Sequence, residues 1–213
     1  PRKDAEAELI SLVNKTIERG GKVLIPELGL GRAQETMLIL EDAMKSGKMT
    51  KAPIYIDGMI WDINAIHTAY PDFLSNNIRS MTFQDKNPFL SETFSRVSGP
   101  QERKNVIEGG PCVVLATSGM LTGGASVEYF REFAGNDKNS LIFVCYQGRG
   151  SLGRQVQAGI REVKMNVNGR DEDVKINMEV HDTVRGLTAH SGRNELMSFF
   201  SRVNPKPKRI IIN

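Results

Sequence analysis

Nothing in these 213 residues is apolar for long enough to span a bilayer, and the opening Pro1-Arg2-Lys3-Asp4 is no secretory signal, so no membrane association is expected. Cysteine is scarce: Cys112 and Cys145 are the only two, each inside a run of strand-forming residues. That setting predicts small buried thiols in a reducing compartment rather than a disulfide framework, and the cytoplasm is the expected location. Histidine is scarce, with three residues, and no cluster has the ligand spacing of a zinc site, so no metal ligand is predicted in this chain. Neither sign of charge dominates. A net charge of +3 tolerates a nucleic-acid partner without demanding one. Internal repeats and low-complexity segments are also lacking. The chain begins on Pro1 without a methionine, which suggests trimming.

What is present suits a globular protein with a real core: 39% hydrophobic and 25% charged residues. Leu9, Ile10, Val13 and Ile17 share one face of a helix predicted over 4–19, which Gly20-Gly21 stops. Residues 22–28 read as a buried strand, 29–31 as a turn and 32–44 as a second helix. A short strand follows over 53–57 and a helix over 59–70, ended by Pro71. Residues 75–105 are the least regular, with Asn87-Pro88 and Gly99-Pro100 as turns. Strands over 113–117 and 141–146 bracket a helix over 126–133, and a short helix follows Gly153. Asn168-Gly169 joins 163–167 and 174–180 as a hairpin. An amphipathic helix over 191–203 presents Leu196, Phe199, Phe200 and Val203. A last apolar strand over 209–212 stops with the chain, which suggests truncation. Alternating strands and helices predict an α/β fold with a mostly parallel sheet covered by helices, the hairpin adding antiparallel strands at one edge.

Three strand ends run into glycine-rich turns followed by helices, at residues 29–34, 116–124 and 147–154. Ligands of an open parallel sheet bind outside the carboxyl ends of its strands, where bare amides and helix N-termini favour phosphate. Candidate phosphate contacts are Gly29, Gly31 and Arg32 in the first loop, Thr117 and Ser118 in the second, and Gly148, Arg149 and Arg154 in the third. The arginines would add charge-assisted bonds. For any single loop, tight turning and solvated arginines explain the same residues; three together point to a phosphate-lined surface. Gly148, Gly150 and Gly153 also match the dinucleotide fingerprint, with Asp171 and Glu172 downstream, so a dinucleotide-binding domain is an alternative. Against it, Asp171 falls just after a hairpin turn, not at the end of a second parallel strand. Among the histidines, His67 reads as helix packing and His181 as a strand-end residue. His190 lies among small and hydroxyl residues at the mouth of a helix, where a histidine can titrate near neutral pH.

Several segments in order carry a more specific signal: residues 20–26, 31–35, 58–61, 65–71, 87–89, 116–120, 126–130 and 187–191. Together they resemble the β-CASP family of metallo-β-lactamase-fold RNA nucleases. The tract with Trp61 and His67 is similar to its archaeal branch, related to the cleavage and polyadenylation endonuclease. The resemblance implies that 1–185 form a β-CASP domain with its N-terminal helix, and that 186–213 return to a truncated metallo-β-lactamase domain. It implies phosphodiester hydrolysis of RNA by two zinc ions whose ligands lie outside this chain. RNA and the missing domain of the same polypeptide would be its partners, and a homodimer of the parent is compatible with it. It places the family's acidic motif on Glu6, with Asp4 and Glu8 as the alternatives, and its histidine motif on His190, with Gly192 where the family usually has Asp. His190 would act as general acid or stabilise the phosphate charge, and Glu6 would hold and charge it. The chain alone would be inactive. A non-catalytic RNA-processing subunit is a further alternative.

Overall fold

A computed structural model describes residues 2–84, 86–167, 170–187 and 191–211. Helix α1 (Arg2–Glu18) buries Leu9, Ile10, Val13 and Ile17, the face its spacing predicts, and ends at Gly20 in the left-handed region. Strands β1 (Val23–Pro26), β2 (Ile54–Asp57), β3 (Phe94–Val97), β4 (Val113–Ala116), β5 (Ser140–Ile142) and β8 (Glu179–His181) form one sheet in the order β3-β2-β4-β1-β5-β8. Every pairing within it is parallel. Strands β6 (Glu162–Val167) and β7 (Arg170–Lys175) pair antiparallel as a separate two-stranded sheet.

Successive strand side chains point to opposite faces, and here both faces are covered, so β1 and β4 are buried along their whole length. One face carries Val23, Ile25, Ile54, Ile56, Val113 and Leu115 under α1, α2 (Arg32–Lys45) and α3 (Ile60–Ala69). The other carries Leu24, Val114, Ala116 and Leu141 under α5 (Pro100–Glu108), α6 (Ala125–Phe133), α7 (Leu152–Gln157) and the hairpin. Tyr129, Phe130 and Phe133 of α6 fill that second layer, fully or almost fully buried. Side chains of this kind contribute roughly 1.5–3 kcal/mol each.

Four expectations need correction. Residues 75–105 are not irregular: they hold α4 (Asn76–Phe83), β3 and α5. Strand β3 is an edge strand that buries only Phe94 and Val97, too short a pattern to read as alternation, and Gly99-Pro100 opens a helix because proline suits its first position. The hairpin does not extend an edge of the main sheet; Val163, Met165 and Val174 pack onto its second face. Residues 179–180, expected within the hairpin, belong instead to β8, parallel to β5. No strand forms at 209–211, which are exposed and pair with nothing among the described residues. Helix α8 (Arg193–Arg202) forms as expected, but none of its residues is buried.

Candidate nucleic-acid interface

The parallel register puts Pro26 of β1 and Asp57 of β2 level with Ala116 of β4, and β5 runs alongside β1 in the same direction. The loops that leave β1, β4 and β5 therefore emerge at one edge of the sheet, as a shared phosphate surface requires. They also touch. The Glu27 N–H donates to Ala116 O at 2.8 Å, and the Met59 N–H reaches Thr117 Oγ1 at 3.4 Å. Gly119 lies so close to the first loop that a Cβ there would sit 2.9 Å from the Glu27 carbonyl carbon and the Leu28 nitrogen.

Each loop is held by a polar residue that was not singled out in the sequence. Gln34 of α2 accepts from the Gly31 N–H at 2.7 Å and donates to Gly29 O at 3.0 Å and to Asn64 Oδ1 at 2.9 Å. Gly31 itself has φ +82°, a conformation that favours glycine. In the second loop, Ser118 Oγ accepts from the Thr122 N–H at 2.9 Å, and Ser126 Oγ donates to Ser118 O at 2.7 Å. Gln147, buried, donates through Nε2 to Gly119 O at 2.9 Å and Cys145 O at 3.1 Å, tying the third loop to the second. Ser151 caps α7, accepting from the Arg154 N–H at 3.1 Å while donating to Gly148 O at 2.8 Å.

The three arginines differ. Arg32 is mostly buried and pairs with Glu35 one turn along α2. Arg149 and Arg154 are exposed and have no acidic partner among the described residues; Arg154 reaches only Gln157, at 3.4 Å. Glu6 comes to the same rim: it accepts from Arg2 Nε at 2.7 Å, and Arg2 Nη1 meets Glu35 at 2.5 Å. A charged chain Glu6–Arg2–Glu35–Arg32 thus links α1 to the first turn of α2. His190, together with Thr188 and Ala189, lies outside the described residues, so the separation of Glu6 and His190 is not measured.

Sequence reasoning missed Glu27. It is fully buried at the exit of β1, and neither carboxylate oxygen has a hydrogen-bond partner of good geometry among the described residues. Burial pushes its pKa up to about 8, against the smaller pull of Thr36 and Arg32. The sequence places Glu27 inside the strand expected over 22–28 but gives no sign that its carboxyl group is buried without a partner. Both thiols are buried and free; burial pushes Cys112 up to about 11 and Cys145 up to about 12, which makes them inert core groups. His67 packs on Phe89 with ring centres 5.6 Å apart, and His181 ends the edge strand β8; burial lowers both pKa values. The dinucleotide alternative loses its geometry, because Asp171 lies in β7 of the hairpin and not at the end of a parallel strand. No group of three or more His, Cys, Asp or Glu able to hold a metal ion occurs among the described residues. Among the described residues no helix is long and apolar enough to cross a membrane.

Residues 33–156 match the family model of the Beta-Casp domain, and residues 173–213 match that of the Zn-dependent metallo-hydrolase RNA specificity domain. Curated relatives include proteins named transcription termination factor FttA. That of Pyrococcus abyssi is 51% identical over 214 residues, covering 99% of this chain and 33% of the relative. That of Methanocaldococcus jannaschii is 50% identical with the same coverage, and that of Lokiarchaeum is 49% identical, covering 100% of this chain and 34% of the relative. The chain thus spans about a third of the length of the curated relatives it matches.

Proposed function

Since this chain belongs to the Beta-Casp family, we propose that it is the RNA-clamping part of a longer zinc-dependent ribonuclease of the RNA-processing or decay type. The observation that carries the reading is the convergence of three glycine-rich loops and Glu6 on one edge of the sheet. In this reading 1–185 form the clamp and 186–213 return to a second domain. Support for that division is that β8 still belongs to the main sheet while α8 buries nothing.

Zinc enters through the family, whose matched RNA specificity domain is described as zinc-dependent. The described residues do not fit a metal ion, so both ions and their ligands are assigned to the rest of the polypeptide. This chain's own task is to hold the strand. Arg149, Arg154 and the backbone of Gly148, Gly29, Gly31, Thr117 and Ser118 receive phosphates; Arg32 joins them by exchanging Glu35 for a phosphate oxygen. His190 protonates the leaving oxygen, and Glu6 orients it and favours its charged form. Location in the cytoplasm and assembly of the parent as a homodimer belong to the same reading. The name of the relatives makes the nascent transcript the first RNA to test.

The test is His190→Ala in the full-length parent. RNA cleavage should fall by about 10²–10⁴ while zinc content stays unchanged. Loss of a zinc ion would make His190 a ligand instead of an acid, and unchanged cleavage would refute the assignment of the motif.

A further inference from the structure

The third loop differs from the other two in what it exposes. Tyr146, four residues past the end of β5, is 72% exposed, although the five residues before it are buried. Its ring stands beside Gly148 and Met120: a Cβ on Gly148 would lie 4.0 Å from Tyr146 Cε1 and 3.4 Å from Met120 Sδ. Exposed Arg149 and Arg154 follow it, and between Asp137 and Glu162 the chain carries no acidic residue at all. In that stretch Arg149 and Arg154 are exposed cations with no acidic partner among the described residues, within eight residues of one exposed ring in the sequence. The first loop has no such excess, because Arg2 and Arg32 are answered there by Glu6 and Glu35. Leu28, Leu30 and Met59 add exposed apolar surface to the rim, and Gly29 packs on Met59.

An exposed aromatic ring flanked by arginines is the chemistry that recognises an unpaired nucleotide: the base stacks on the ring while the cations hold the neighbouring phosphates. A duplex keeps its bases stacked inward and gives such a ring nothing to cover. We propose that Tyr146 is a base-stacking platform on this rim: its ring covers one unpaired base of the RNA while Arg149 and Arg154 grip the neighbouring phosphates. The inference rests on the RNA-clamping reading above and adds to it the residue on which a base stacks. Gln147, the next residue, is buried and bonded to the second loop, which fixes the backbone that carries the ring.

The experiment measures binding of three probes to the full-length parent: a single-stranded RNA, the same strand with its bases removed at successive positions, and the corresponding duplex. Tyr146→Ala should weaken single-strand binding by roughly 5- to 150-fold, the range that 1–3 kcal/mol of stacking per base gives. Tyr146→Phe and Tyr146→Trp should retain it, and the Trp variant's fluorescence should be quenched by the strand. At one position, removing the base should weaken wild type but not the Ala variant. Equal loss of binding to intact and abasic strands, or an Ala variant as tight as wild type, would overturn the platform while leaving the clamp intact. Failure of the wild-type parent to bind any of the three RNAs would overturn the clamping reading itself.

Discussion

Glu27 and Asp57 show how two buried carboxyl groups at one sheet edge can be handled in opposite ways. Glu27 has no counter-ion in hydrogen-bonding contact and stays protonated: its pKa of about 8 lies above the ordinary carboxylate value of 4.5. The folded state therefore keeps a proton that the unfolded chain gives up above pH 4.5, so stability falls as pH rises from about 4.5 to about 8 and then levels off. At pH 7 the shift corresponds to about 3 kcal/mol. Glu27→Gln removes the titration and leaves only an amide to bury. Denaturation at pH 8 should show the variant more stable by about 1–2 kcal/mol, with little difference at pH 4.5; parallel pH profiles would contradict this. Asp57, almost as deeply buried, is instead paired: Arg103 donates to it at 2.8 and 3.1 Å, and the Tyr129 hydroxyl at 3.0 Å. What the sequence revealed at this scale was context. His190 stood out because small and hydroxyl residues surround it, and the loop glycines because they follow apolar runs. Glu27, Gln34 and Gln147 did not, since a polar letter beside a strand gives no sign of being buried.

At the scale of elements, the Asp57–Arg103–Tyr129 contact ties β2, α5 and α6 together, with Glu128 of α6 accepting from Arg103 at 2.7 Å. Arg103→Met strands a carboxylate that is almost wholly inaccessible, so it should destabilise by about 3–5 kcal/mol in chemical denaturation. Lys104→Met, one residue on, breaks only an exposed 3.7 Å pair with Glu108 and should cost less than about 0.5 kcal/mol. Equal effects would mean that the buried pair is not what holds α5. Elements with long apolar signals were legible: α1, α2, β1, β4 and α6 lie within a residue or two of expectation. The hairpin was legible from its turn, but its seat on the second face was not, because pairing chemistry is local and docking is not. Strand β3 escaped for the converse reason: its two buried positions become meaningful only beside β2.

At the scale of the whole molecule, the described residues hold a six-stranded parallel sheet with a packed layer on each face, while α8 leaves Leu196 and Phe199 46% and 64% exposed. The fold class was readable from alternation alone; the role of the rim needed the parallel register, which sets all three loops on one edge. The purified 213-residue chain should show no zinc-dependent RNA cleavage, since its described residues hold no metal cluster; robust cleavage abolished by a chelator would contradict this. The central claim, that this edge is the face RNA lies on, is tested most directly by mapping where a backbone-photoreactive RNA crosslinks to the full-length parent. The account predicts crosslinked peptides from residues 27–32, 117–124 and 146–154. Crosslinks confined to the hairpin at 162–175, or to Lys48 and Lys51 ahead of β2, would contradict it.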